Sequence, residues 1–257
     1  MKKITKLCVT ILALGIASPL LASNQATPVE ASSHVNVHTK KVAVNHFNQV
    51  NAKLKAASLH IKTGKKFQAE IKYTKKNPIS VQNSKDKLLI TEKKVKTKKI
   101  YYSPKIYLTV PGKSDLTKLV VTGQAGTIDI NNLTIPNATV ALKAGIVRAA
   151  NATLANFNVN LWSGNLAIKN CRQALTAQLK AGSAEITDST LTGDSSLNVM
   201  NGGIFINNVT NASYNAAVTT GLLKYQGQKL NNSLVQNLPG VPVWTLNVIT
   251  GKIVIAQ

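Results

Sequence analysis

From Val50 onward the chain alternates apolar and polar residues with a period of two, the pattern of strands with one buried side. Val50, Ala52, Leu54 and Ala56 share one side, Leu59 and Ile61 follow, and Thr63-Gly64 marks a turn. Phe67, Ala69, Ile71 and Tyr73 alternate next. Asn77-Pro78 interrupts them, and Ile79 and Val81 resume. Leu88, Leu89 and Ile90 form a short apolar strand. Ile106, Leu108 and Val110 form another, stopped by Pro111-Gly112. Nothing beyond residue 31 shows the 3.6-residue period of an amphipathic helix. The pattern predicts an all-β protein.

Between residues 126 and 227 the alternation locks into a repeat: Gly, any residue, apolar, any, apolar, any, then Asn or Asp. The copies read GTIDINN, GIVRAAN, GNLAIKN, GSAEITD, GGIFINN and GLLKYQG, beginning at Gly126, Gly145, Gly164, Gly182, Gly202 and Gly221. The last ends in Gly instead of Asn or Asp. Their steps are 19, 19, 18, 20 and 19 residues, the mark of a stacked repeat. Two positions after each Gly stand Ile128, Val147, Leu166, Ala184, Ile204 and Leu223; four after stand Ile130, Ala149, Ile168, Ile186, Ile206 and Tyr225. Apolar residues also recur three and five positions before each Gly from the second copy on, as at Leu142 and Val140. Each period therefore holds two short strands with two inward residues each. The outward position three after Gly varies through Asp129, Arg148, Ala167, Glu185, Phe205 and Lys224, and the outward residues show no fixed chemistry.

Such a period cannot fold alone. Burying about four apolar side chains gains about 1.5–3 kcal/mol each, while ordering each backbone residue costs about 1–2 kcal/mol. Stacking shares hydrogen bonds and a continuous core, so stability belongs to the array. The expected fold is a parallel β-solenoid, single-stranded and β-helix-like, with about 19 residues per rung, preceded by a small β region. Glycine permits the backbone turn that opens each strand pair. The Asn or Asp six positions later (Asn132, Asn151, Asn170, Asp188, Asn208) suits unusual turn dihedrals and could stack into a ladder.

The flanks divide the chain further. Lys2, Lys3 and Lys6 precede an apolar run over residues 7–21, which reads as a secretory signal occupying residues 1–31. Val29-Glu30-Ala31 is the expected cleavage site, with cleavage after Ala22 or Ala26 as alternatives. Residues 32–45 read as a disordered leader, 46–118 as the N-terminal β region and 119–257 as the solenoid. A proline-marked insertion at 227–243 delays a last rung, built on Trp244, Leu246, Val248, Gly251, Ile253 and Ile255. That insertion is expected to cover one exposed end of the stack. The β region from residue 50 to 110 is expected to cover the other.

Charge sharpens this division. Residues 40–118 carry 20 Lys and four acids, a net of +16; residues 119–257 carry eight Lys and Arg and four acids, a net of +4. The densest run offers Lys85, Lys87, Lys93, Lys94, Lys96, Lys98, Lys99 and Lys105 as candidate ligands for a polyanion. The whole chain has 29 Lys and 2 Arg, and Cys8 leaves with the signal, so Cys171 remains alone. Export without disulfides fits a bacterial envelope, with the mature protein secreted and held at the cell surface or wall. Cys171 reads as a small apolar filler.

Catalytic and metal chemistry find little support. His34, His38, His46 and His60 all precede the repeats, so none reaches the solenoid unless the N-terminal region folds over it. The carboxylates of the rungs are Asp129, Glu185, Asp188 and Asp194. Asp129 and Glu185 lie three rungs apart, about 14 Å by strand spacing, too far for the pair that a retaining glycosidase needs. Asp129 and Arg148 are outward neighbours on successive rungs, and Arg172 adds no cluster. No phosphate loop, metal set or transmembrane segment of the mature chain is evident, and no cofactor is expected.

The strand Lys87-Leu88-Leu89-Ile90, the stretch IYLTVPG from Ile106 followed by DLTKLVV, and the train of rungs ending in GKIVI together resemble the bacterial putative-adhesin family of β-strand-repeat domains. The resemblance covers residues 45–257. It implies a parallel β-solenoid on the cell surface or in the wall, and no catalytic residues. The Lys excess and the small Ala177 and Ala184 depart from the family pattern. The expected function is a non-enzymatic secreted or wall-associated protein that binds anionic cell-wall polymers or acidic glycans through its Lys-rich region, with an adhesive role toward a host surface. The alternatives are an envelope-stress module that binds a protein partner and, behind it, a polysaccharide-active β-helix enzyme. Specific nucleic-acid binding is not expected.

Overall fold

The computed structural model describes residues 36–256 except 76, 94–101 and 114. The expected signal peptide and its cleavage site lie outside the described residues. All regular structure among the described residues is β. The strands are β1 (His38–Ala43), β2 (Gln49–Leu54), β3 (Ser58–Thr63), β4 (Gln68–Tyr73), β5 (Ile79–Ser84), β6 (Lys87–Glu92), β7 (Lys105–Val110), β8 (Lys118–Gly123) and β9 (Thr127–Asn131). There follow β10 (Thr134–Ala150), β11 (Thr153–Lys169), β12 (Arg172–Leu191), β13 (Ser195–Thr210), β14 (Ser213–Tyr225), β15 (Gln228–Leu230), β16 (Ser233–Gln236) and β17 (Val243–Ala256).

The repeats are the rungs of a parallel β-solenoid. β10 lies on β11 with Gly145 over Gly164, and β11 on β12 with Gly164 over Gly182. Each long strand bends at its glycine. The residues before the glycine build a first face and those after it a second. A positive-φ corner at the Asn or Asp then leads to a short third side, where Ile135 meets Leu154. That corner is where the sequence placed it: Asn132, Asn151, Asn170, Asp188 and Asn208 have φ between 50° and 57°. The expected ladder forms in part. Asn170 donates to Asn151 at 2.7 Å and Asn208 to Asp188 at 2.8 Å, whereas Asn151 reaches Asn131 at 3.4 Å.

The core is one apolar column per inward position. Val140, Val159, Ala177 and Leu197 are buried along the first face; Val147, Leu166, Ala184 and Ile204 along the second. Cys171 belongs to the third side, between Ala152 and Ser189, and is 2% exposed. Its Sγ donates to the Lys169 carbonyl oxygen, and burial pushes the thiol pKa up. A buried, protonated thiol is unreactive. Cys171 is therefore expected to resist a disulfide reagent such as DTNB in the native protein and to react on unfolding in urea. Rapid labelling of the native protein would refute its place in the core.

The order of the rungs departs from the order of the chain at both ends. β2 pairs in parallel with β6 on one side and β8 on the other, and β3 likewise lies between β7 and β9. The first rung of the chain is thus not the first rung of the stack. At the other end β17 pairs in parallel with both β13 and β14, with Gly251 between Gly202 and Gly221. The sequence suggested that the last rung ends the stack. Instead β17 is interior and β14 is the last full rung. The pattern misses this because each rung offers its neighbour the same register.

Antiparallel strands finish both ends. β5 and β4 pair with the outer edges of β6 and β7, and β1 adds to β4. β16 and β15 do the same for β14. The insertion at 227–243 therefore covers an end, as expected, by forming two strands. The leader expected to be disordered over 32–45 contains β1, ordered through its pairing from His38 to Ala43. The N-terminal β region expected over 46–118 supplies rungs of the same sheet, so the fall in charge near residue 118 is not a break in structure.

Candidate polyanion-binding site

The candidate lysines that the structure describes converge on the terminal rung β6–β7. Lys85 sits in the β5–β6 turn with φ of 50°, Lys87 opens β6, Lys93 follows β6, and Lys105 opens β7. All four are exposed. Alternation explains why: Leu88 and Ile90, Ile106 and Leu108 take the inward positions and leave the lysines outside. Lys94, Lys96, Lys98 and Lys99 lie outside the described residues. Register adds what the sequence run did not contain. Lys72 of β4 lies opposite Lys105, and Lys118 stands in the same row as Lys87, with Gln49 between them. The outward parity of Lys72 is legible from its neighbour Ile71; its partner strand is not.

The acids of this region do little to neutralise them. Glu92 is 3% exposed, and its Oε2 accepts the backbone N–H groups of Lys55, Ala56 and Ala57 at 2.6, 2.8 and 2.9 Å. It thus caps the corner where later rungs stack their glycines. Asp115 accepts from the Gly112 N–H at 2.7 Å, and Asp86 lies 3.5 Å from His46. Only Glu70 approaches a lysine, Lys72, at 3.9 Å, among the described residues. An exposed pair at that distance is weak. The excess positive charge therefore faces solvent, where it attracts anions over about 8–10 Å at moderate ionic strength.

Beside this surface runs a charged row across the second face: Glu70, Tyr107, His60, Asp129 and Arg148 on successive strands. His60 Nδ1 lies 2.6 Å from an Asp129 oxygen, and Arg148 lies 3.4 Å from the other. Tyr107 stacks on His60 with centroids 4.9 Å apart, and the Lys72 ammonium lies 5.5 Å from the Tyr107 centroid. The N-terminal strands thus do bring a histidine onto the solenoid, because β3 packs beside β9. Asp129 and Arg148 are the outward neighbours that the sequence suggested. The next carboxylate along the row, Glu185, stands three rungs from Asp129, past Arg148 and Ala167. Asp129 and Glu185 thus stand three rungs apart in the register, the spacing that the sequence indicates. A shallow hollow between residues 208–212, Leu238 and Val241 has no titratable side chain in its lining.

Solved structures of similar fold include a putative adhesin from Bacteroides fragilis, 17% identical over 86% of this chain and 97% of that one, with a TM-score of 0.49. A putative cell adhesion protein from Clostridium sporogenes is 13% identical over 86% and 99%, with a TM-score of 0.37. A putative adhesin from Parabacteroides distasonis is 9% identical over 87% and 98%, with a TM-score of 0.43. No curated protein matches the chain. The sequence profile of one family matches residues 47–237, from just before β2 through the covering strand β16, and no enzymatic family is indicated. On the extent of that match, the chain belongs to the Toastrack DUF4097 family.

Proposed function

We propose that this protein is a non-enzymatic, exported surface protein, adhesin-like in role, whose basic terminal rung binds anionic polymers of the cell wall or acidic glycans. The observation that carries this reading is the disposition of charge around β6–β7. Lysines point outward on the terminal rung while Glu92 and Asp115 are spent on backbone N–H groups. The rigid solenoid behind that rung would hold the charges at fixed spacing, so that less order is lost on binding.

Binding of this kind releases counterions, so affinity falls steeply as salt rises. The protein is expected to stay on intact cells, or on isolated wall polymer, in low salt and to leave in high salt. Changing Lys85, Lys87, Lys93 and Lys105 together to Ala should lower the salt concentration needed for release, by about twofold or more. Retention that is indifferent to both salt and these substitutions would defeat the reading.

A further inference from the structure

The first face of the solenoid carries a surface of quite different chemistry. Its outward rows can be followed across the register. One runs Thr139, Asn158, Thr176, Ser196, Thr245 and Asn215. The next runs Ala141, Asn160, Gln178, Asn198, Asn247 and Ala217. From β10 to β14 every side chain in both rows is a hydroxyl, an amide or a methyl; toward the other end the rows continue through Val120 and Thr122 of β8 to Asn51 and Lys53 of β2. Asn247 donates to Asn198 at 2.8 Å and Asn198 to Ser196 at 3.1 Å. Among the described residues the side chains of Asn158, Asn160, Thr176 and Gln178 make no hydrogen bond, and all four are exposed. Two outward rows of the first face therefore share one chemistry from β10 to β14, unlike the second-face row that varies through Asp129, Arg148 and Glu185.

A ridge borders these rows. Two residues beyond Asn160 stands Trp162, 60% exposed, and two beyond Gln178 stands Lys180. The Lys180 ammonium lies 3.7 Å from the centroid of the Trp162 ring, a cation–π contact against one side of the indole. Lys143 occupies the matching position one rung before Trp162, and the exposed Met200 and Ile249 continue the ridge on the rungs after Lys180. No acid stands in either row between β10 and β14. Asp129 and Glu185 point from the second face, Asp188 forms a corner, and Asp194 accepts from the Val243 N–H.

We infer that this face binds an uncharged linear glycan, laid along the solenoid axis with one sugar against Trp162. An exposed indole with Lys180 on one side offers its other ring face to the C–H face of a sugar. Amides and hydroxyls both donate and accept hydrogen bonds, as sugar hydroxyls and N-acetyl groups require. The same groups recur on each rung at about 4.8 Å, so a repeating chain meets repeating partners. A polyanion would find no cation in the two rows between β10 and β14; the first along them is Lys53 of β2, beyond Thr122. A second copy of this chain would need an apolar face, and the rows beside the ridge are polar. The site is separate from the basic terminal rung, and its ligand is of a different charge class.

The test titrates the full mature chain with chitohexaose, an uncharged N-acetylglucosamine hexamer, and with a galacturonate hexamer for comparison. Trp162 is exposed and Trp244 is fully buried, so iodide quenches one and not the other. Chitohexaose is expected to shield Trp162 from iodide, with an affinity that barely changes between low and high salt. Trp162→Ala should weaken binding at least about tenfold by calorimetry, and Asn160→Ala with Gln178→Ala should weaken it as well. The emission of Trp244 reports that these variants stay folded. Changing Lys85, Lys87, Lys93 and Lys105 to Ala should leave this binding intact, which separates its failure from that of the basic rung. Four results would overturn the inference: no chitohexaose binding, full affinity in Trp162→Ala, tighter and salt-sensitive shielding of Trp162 by the galacturonate hexamer, or a concentration-dependent dimer that Trp162→Ala abolishes.

Discussion

Trp244→Ala is expected to destabilise the protein by about 3–5 kcal/mol in urea denaturation, the range for an aromatic removed from a closed core. Trp244 is fully buried because β17 lies inside the stack. It sits beside Ser195 of β13 and beside Tyr214 of β14, whose ring is stacked at 6.5 Å between centroids. Trp244→Phe should cost about half as much or less, since the indole N–H is buried without a hydrogen-bond partner and its removal forfeits no bond. Hydrogen exchange gives an independent reading of the same order. Backbone amides of β17 should exchange as slowly as those of β13 and more slowly than those of β14, which lies nearer the end. Exchange that quickens in chain order, with β17 fastest, would show that the last strand is not interior.

Gly164→Ala should be comparably severe, about 3–5 kcal/mol, for a backbone reason instead of a packing one. Gly164 has φ of 136°, a conformation that side-chain-bearing residues rarely adopt. A Cβ there would stand 1.8 Å from the Gly145 carbonyl oxygen and 2.8 Å from its carbon. That carbonyl belongs to the next rung and is held by ladders on both faces, so it cannot withdraw alone. Gly193→Ala is the control. Its added Cβ would meet only the Ala174 Cβ, at 3.4 Å, and its φ is not in the positive range. It should stay within about 1 kcal/mol of the parent. A Gly164→Ala protein as stable as the Gly193→Ala control would mean that the rungs do not approach as closely as the glycine column requires.

Much of the fold was legible before any coordinates. Gly145, Gly164 and Gly182 announced one corner and Asn151, Asn170 and Asp188 the other, because turn dihedrals restrict residue type locally. Inward positions of two strands per rung were legible from alternation, and Cys171 as a small filler where the rung turns, but the third side that holds Cys171 was not. The candidate site was legible only by halves. Lys85 and Lys105 were found by charge density, but Lys72 joined Lys105 through an antiparallel pairing that no local pattern records. His60 and Asp129 are 69 residues apart in sequence and 2.6 Å apart in space. The amide rows from Asn158 to Asn247 were readable in principle, at four and six positions before each glycine. The outward position three after each glycine does not reveal them, because it lies on the second face, where Asp129, Ala167 and Phe205 vary.

The sequence by itself determined the rung: its length, its corners, its inward and outward sides, and the β class of the whole. These follow from short-range rules, the two-residue period of a strand and the backbone freedom of Gly and Asn. The tertiary structure alone decided which rung lies on which. It placed β2 and β3 between the strands that follow them, set β17 between β13 and β14, and thereby brought the lysines together at one end. The physical reason is that the rungs are near-equivalent surfaces. Gly202, Gly251 and Gly221 stack in the same register whichever order the chain supplies them. A repeat pattern therefore specifies that rungs stack, while the covering strands and the path of the chain between them specify in what order.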